Sequence, residues 1–269
     1  MTLAVEEYPR AGAPTIVLVH GFTQNARCWG DLPQQLNRRF RVIAVDAPGH
    51  GASPARHDDA DLAEAARLIG AAGGPARYLG YSMGGRLCLQ LACDRPDLVE
   101  ELILVGATPG LSSSDARETR VRADADLADR LEREGLAAFL DHWLSLPLFA
   151  GLDDDAAARP ARLRNRPEGV AASLRHCGTG RMEPLWDRLP LLAMPVLLLA
   201  GALDAKFAAE AEAMAASLPN ATGRTDGRPG PALALVQDAG HTAHLEQPDR
   251  FLALLEGWWQ DRTAASGSD

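Results

Sequence analysis

The segment ARYLGYSMGGRLCLQLACDRP, residues 76–96, constrains the fold more than any other part of the chain. Its first half is a short apolar run, and its second half carries apolar residues at helical spacing and stops at Pro96. Between them Ser82 sits in Gly80-Tyr81-Ser82-Met83-Gly84, with small residues on either side of the turn. A strand that becomes a helix within two residues requires such a turn, and it lifts the side chain at its apex clear of the sheet. Strand followed immediately by helix is the repeating unit of a parallel sheet.

The same alternation recurs along the chain. Strands are expected in 15–21, 41–51, 99–110, 194–204 and 231–241, and helices over 60–72, 83–96, 206–217 and 248–260. The strand candidates are continuous apolar runs rather than alternating ones, as strands buried on both faces are. Residues 111–190 break the pattern, with arginine- and acid-rich helical stretches, Trp143, Trp186 and no convincing strand. They read as a helical cap (111–189) inserted into a core formed by 1–110 and 190–269, placed over the strand ends where ligands bind in such sheets. The polar Gly/Pro stretch 219–231 is expected to be mobile and the tail TAASGSD disordered.

With 269 residues the chain is long enough for one α/β domain and its insertion. The net charge of -9 argues against a nucleic-acid or anionic-membrane surface, though it leaves a locally basic pocket open. Lys206 is the single lysine among 27 basic residues, so arginines have to be argued by position. The cysteines Cys28, Cys88, Cys93 and Cys177 show no zinc spacing, and no apolar run is long enough to span a bilayer. These features, with an N-terminus that lacks a signal pattern, predict a cytoplasmic protein with reduced thiols, no metal and no cofactor. They leave its oligomeric state open.

A serine hydroxyl gains nucleophilic or basic strength only when a histidine takes its proton. His241 follows the last strand in QDAGHTAH, with His244 as the alternative three residues on. His20 and His50 belong to the loops HGF and PGHG and are expected to hold them. Asp204, at the end of LLLAGALD, falls between Ser82 and His241 in the order serine, acid, histidine, and that order with its strand-end position favours it as the partner of the histidine over a simple cap of the helix after it. Two backbone N–H groups should converge on the reacting centre, one from Met83 and the other from HGFTQN at Phe22.

Taken together, HGF, DAPGHG, GYSMGG, GALD and AGHTAH resemble the α/β-hydrolase superfamily over nearly the whole chain. GYSMGGR, PGL with ARETR, FLDHW with PLF, RLRNRPEG, LDAKF and AGHTAHLEQP are similar to the 2-succinyl-6-hydroxy-2,4-cyclohexadiene-1-carboxylate synthases of menaquinone biosynthesis. This resemblance implies the α/β-hydrolase fold and a lyase. It would eliminate pyruvate from 2-succinyl-5-enolpyruvyl-6-hydroxy-3-cyclohexene-1-carboxylate. It also implies that Arg86, Arg120 and Arg164 grip a small tricarboxylate substrate, with Tyr81, Trp143 and Lys206 in the same pocket. Arginine suits that role because its planar fork binds carboxylates bidentately and stays charged when partly desolvated. A cofactor-free esterase or carbon–carbon bond hydrolase would share the serine, histidine and aspartate, and the cap arginines are what separate the two. An intact Ser82, Asp204 and His241 weigh against a non-catalytic binding module on this fold.

Overall fold

A computed structural model describes residues 2–54, 61–219 and 232–266. The elements in chain order are β1 (Val5–Tyr8), β2 (Thr15–Val19), α1 (Leu32–Leu36), β3 (Arg41–Val45), α2 (Leu62–Gly73), β4 (Ala76–Tyr81), α3 (Met83–Asp94) and β5 (Val99–Val105). The chain then runs through α4 (Ser114–Leu144), α5 (Arg159–Arg162) and α6 (Pro167–Cys177). It returns through β6 (Val196–Gly201), α7 (Ala205–Ser217), β7 (Ala232–Val236), α8 (Ala243–Glu246) and α9 (Pro248–Ser266).

The strands form one seven-stranded sheet in the order β1-β3-β2-β4-β5-β6-β7. Every pairing is parallel except that of β1 with β3. Successive residues of a strand face opposite sides, and the sheet therefore feeds two cores. Val17, Val19, Tyr78, Leu102 and Leu104 pack beneath α2, α3 and α7. Ile16, Leu18, Leu79, Ile103 and Val105 meet α1 and the α9 residues Phe251, Leu255, Trp258 and Trp259. The mostly parallel sheet with helices on both faces is what the alternation predicts, and it is the α/β-hydrolase fold that the resemblance implies.

Two elements were not anticipated. Strand β1, VEEY, is short, half-buried and antiparallel at the sheet edge, where a pair of adjacent acids is tolerated. Helix α1 has five residues and begins at a Leu-Pro pair, too short for periodicity to register. Helix α9 extends to Ser266, so the segment expected to be a disordered tail begins helical, and 267–269 lie outside the described residues. All but the first residue of the expected mobile stretch 219–231 also lies outside them.

Helices α4 to α6 carry a small apolar cluster of their own, including Ala128, Leu131, Phe139, Leu140, Val170 and Leu174. Met182, Leu185 and Leu189 lie within the range expected to be cap, yet their side chains belong to the sheet core. Gly135 breaks α4 with φ +79°. The cap meets the loop after β3 where Gly49 and Gly169 touch: a Cβ on Gly49 would come within 2.4 Å of the Gly169 carbonyl oxygen. No helix among the described residues is long and apolar enough to cross a membrane.

Candidate active site

Ser82 follows β4 and is the N-cap of α3 with φ 51° and ψ -109°, a backbone region that L-residues avoid. Its neighbours explain how the turn closes. A Cβ on Gly84 would lie 1.9 Å from the Val19 carbonyl oxygen, and one on Gly80 would lie 2.4 Å from the Gly84 carbonyl oxygen. The turn is locked to the sheet by the Ser82 N–H, which donates to the Val105 carbonyl at 2.8 Å.

His241 Nε2 lies 3.0 Å from Ser82 Oγ, and His241 Nδ1 lies 2.7 Å from Asp204 Oδ2. The two readings of Asp204 are both satisfied, by different oxygens. Oδ2 meets the histidine, while Oδ1 accepts from the Phe207 N–H at 3.4 Å and caps α7. Gly106, at φ +55°, makes room for the imidazole, since a Cβ there would sit 3.0 Å from His241 Cε1. Glu246, which the sequence reading passed over, accepts from the N–H groups on either side of His241, Gly240 at 2.7 Å and Thr242 at 3.0 Å. The available signal was an acid one helical turn beyond the histidine loop.

The alternative histidine is placed elsewhere. His244 is fully buried among Trp29, Tyr81 and Phe251, its ring nitrogens have no hydrogen-bond partner among the described residues, and burial pulls its pKa down to about 3. His20 does hold its loop: Nε2 accepts from the Ala47 N–H at 3.0 Å and Nδ1 faces the Gly21 carbonyl, with burial lowering its pKa to about 4. His50 Nδ1 faces the Pro48 carbonyl oxygen at 3.2 Å.

A cavity of about 240 Å³ opens over Ser82 and His241. Phe22 and Met83 line it beside the serine, and Trp143, Arg86, Arg120 and Lys206 line it from α4, α3 and α7. The Phe22 ring packs edge-to-face on Trp143 at 5.1 Å, joining the loop after β2 to the cap. Lys206 Nζ sits 5.1 Å from the centroid of the Phe207 ring, which itself packs on His241.

Arg86 is buried and makes no ion pair among the described residues. Its Nη1 donates to the Cys177 carbonyl at 2.7 Å. Burial pushes its pKa down to about 10, Arg120 adds to that effect, and Cys177 and Asp124 oppose it. Arg120, half-exposed to the cavity, gives its Nε to Asp124 Oδ1 at 2.7 Å. Asp124 is buried, with its other oxygen packed against Gly178, and burial raises its carboxyl pKa against the pull of the two arginines. The Arg120–Asp124 spacing of four residues on one helix was the overlooked clue to this carboxylate.

Two expectations are corrected. Arg164 is exposed and lines a separate cavity of about 270 Å³ with Glu6, Arg27 and Asp46. The turn after α5 directs Arg162 and Asn165, three residues apart, inward, and this leaves Arg164 facing outward. Tyr81 does not line the cavity over Ser82. It is buried in the α9 core cluster, with its ring against His244 at 4.6 Å and His241 at 5.3 Å, so it backs the histidine loop from behind.

Among the described residues, no group of three or more His, Cys, Asp or Glu side chains is arranged to hold a metal. The family model described as "Alpha/beta hydrolase family" matches residues 16–254. The chain belongs to the alpha/beta hydrolase family. Within that family, a Salmonella paratyphi C (strain RKS4594) protein named 2-succinyl-6-hydroxy-2,4-cyclohexadiene-1-carboxylate synthase is 32% identical over 255 residues, covering 92% of this chain and 95% of the relative. A Bacillus subtilis (strain 168) relative, given the same name provisionally, is 35% identical over 260 residues, covering 91% and 90%. Among solved structures, MenH from S. aureus superposes with a TM-score of 0.86 at 28% identity, covering 98% of this chain and all of that one. A thermophilic esterase from Thermogutta terrifontis, malate bound, superposes at 0.78 with 27% identity, covering 96% and 93%.

Proposed function

We propose that this family member is a carbon–oxygen lyase of menaquinone biosynthesis. It eliminates pyruvate from 2-succinyl-5-enolpyruvyl-6-hydroxy-3-cyclohexene-1-carboxylate to give 2-succinyl-6-hydroxy-2,4-cyclohexadiene-1-carboxylate. The observation that carries this reading is a pair of arginines, Arg86 and Arg120, in the same cavity as the Ser82–His241 pair. An esterase of neutral substrates has no need of two cations there, and Arg86 is buried with no direct ion pair among the described residues, a cost that a bound anion would offset. The relatives that carry the synthase name support the same reaction.

In this account His241, held by Asp204, draws the proton from Ser82 Oγ, and the alkoxide removes a proton from a ring carbon of the substrate. The ring C–O bond to the enolpyruvyl group breaks, the ring gains a double bond, and the departing enol is released as pyruvate. Negative charge that develops during the step is met by the N–H groups of Phe22 and Met83. Arg86, Arg120 and Lys206 take the substrate carboxylates, and Trp143 and Phe22 close the apolar side. No water attacks and no acyl-enzyme forms.

The Ser82, His241 and Asp204 geometry alone would serve ester hydrolysis equally well, and the similar thermophilic esterase keeps that second reading in play. The test is a direct comparison of substrates with the purified protein. Pyruvate should be released from the enolpyruvyl tricarboxylate far faster than nitrophenyl acetate is hydrolysed. An enzyme that strongly prefers the simple ester is an esterase.

A further inference from the structure

Thr23 lies one residue beyond Phe22 and has φ +66°. A β-branched residue resists that left-handed conformation, so surrounding contacts must hold it there. The hairpin of the loop supplies some of them: the Gln24 N–H donates to the Gly21 carbonyl at 3.2 Å, and Gln24 Oε1 accepts from the Gly21 N–H at 3.0 Å. The rest come from the cap, some 140 residues away in sequence. Arg162 Nη1 donates to Thr23 Oγ1, and Asn165 Nδ2 donates to the carbonyls of Thr23 at 2.7 Å and Gln24 at 3.2 Å.

Arg162 is an unusual residue to find there. It is only 1% exposed and its Nε is spent on the Ala157 carbonyl; among the described residues its Nη2 has no partner and no carboxylate pairs with it. A buried guanidinium without a counter-ion is a poor stabiliser of a fold. Among the described residues its one hydrogen bond outside the cap is to the Thr23 hydroxyl. Asn165 strengthens the same attachment, since its Oδ1 accepts from the Gly51 N–H at 2.6 Å in the loop after β3.

We propose that Arg162 is a positioning residue: with Asn165 it clamps the strained Thr23 turn from the cap and thereby aims the Phe22 N–H at the reacting centre. The oxyanion site is then complete only with the cap seated. The proposal rests on the reading of Phe22 as an oxyanion donor, and it holds for elimination and ester hydrolysis alike.

The decisive variant is Thr23→Val, which removes the hydroxyl acceptor at nearly constant shape. Turnover of the enolpyruvyl substrate and of nitrophenyl acetate should each fall about ten- to a hundredfold in kcat, with KM changed less than about threefold; deleting an oxyanion donor outright costs about a hundred- to a thousandfold. The affinity of a trifluoromethyl ketone, which forms an oxyanion on Ser82, should weaken by a similar factor. Thr23→Ser, which returns the hydroxyl, should restore most of the rate. Arg162→Met should match Thr23→Val, and if it fails to fold the threonine variants decide alone. Thr23→Val turning over both substrates within twofold of the parent, or losing only melting temperature, would overturn the proposal. A parent enzyme that releases no pyruvate but hydrolyses the ester would refute the lyase reading, and the ester arm would still test the clamp.

Discussion

Replacing Arg86 by Met gives a sharp separation between a residue that serves the ligand and one that serves the fold. Burial lowers the guanidinium pKa from its ordinary value to about 10, which at roughly 1.4 kcal/mol per pH unit disfavours the charged form in the fold by about 3 kcal/mol. Methionine is of similar length and removes that cost. It also strands the Cys177 carbonyl that accepts from Nη1 at 2.7 Å, a loss of about 1–3 kcal/mol. The two effects nearly cancel, so Arg86→Met should keep its stability within about 2 kcal/mol of the parent, a Tm change of a few degrees for a chain of this size. Substrate binding should respond quite differently. Removing one member of a buried charge pair costs about 2–5 kcal/mol, or roughly thirtyfold to several thousandfold in kcat/KM for pyruvate release. Arg86→Lys should fall between the two, because it keeps the charge and loses the planar fork. Pyruvate release can be followed through a coupled lactate dehydrogenase assay and Tm by differential scanning fluorimetry. A variant that melts far below the parent while its folded fraction keeps full efficiency would make Arg86 structural and refute the anion-binding account.

Asp124→Asn tests how Arg120 is presented: if the carboxylate orients Arg120 through Nε, KM for the tricarboxylate should rise about tenfold with kcat little changed, whereas a simple gain of positive potential would lower KM. His241→Ala should cost several orders of magnitude in turnover with folding intact, while His244→Phe should retain most of the rate; the reverse order would reassign the base. Acid stability follows from the buried histidines, His20 at about 4 and His50 and His244 at about 3. Their folded pKa values lie below the unfolded 6.5, so below that pH the unfolded chain takes up protons that the folded chain refuses. Stability is therefore full above pH 6.5 and falls as pH drops toward 3–4, at roughly 1.4 kcal/mol per pH unit for each imidazole. Denaturant titrations across this range should show His244→Phe with a slope shallower by about that amount, and an unchanged slope would contradict it.

The parts of the molecule that were legible in the sequence are those in which local pattern and global fold agree. Buried parallel strands announce themselves as runs such as TIVLV and VLLLAG, and the turn at Ser82 needs the small residues that flank it. Asp204 and His241 could be placed because each ends or follows a strand on the sheet edge that also carries Ser82. Side-chain direction within the cap was not legible in the same way. RLRNRPEG offers three arginines within five residues, and only the turn after α5 decides that Arg162 faces Thr23 while Arg164 faces a different cavity. Tyr81 adjoins the serine in sequence, but alternation along β4 sends its ring into the α9 core. Asp124 acts through Arg120 on its own helix and Glu246 through the nearby backbone N–H groups of Gly240 and Thr242, and neither leaves a motif beyond an acid at helical spacing.

Elimination without hydrolysis leaves its signature in the ring product of the wild-type reaction. Incubating the enolpyruvyl tricarboxylate with the enzyme and weighing the ring product by mass spectrometry, with pyruvate quantified in parallel, separates the two chemistries. Elimination gives one pyruvate per turnover and a ring product lighter than the substrate by the mass of pyruvate, with no water added. A ring product that has gained the elements of water, or ester cleavage with the enolpyruvyl group still on the ring, would contradict it.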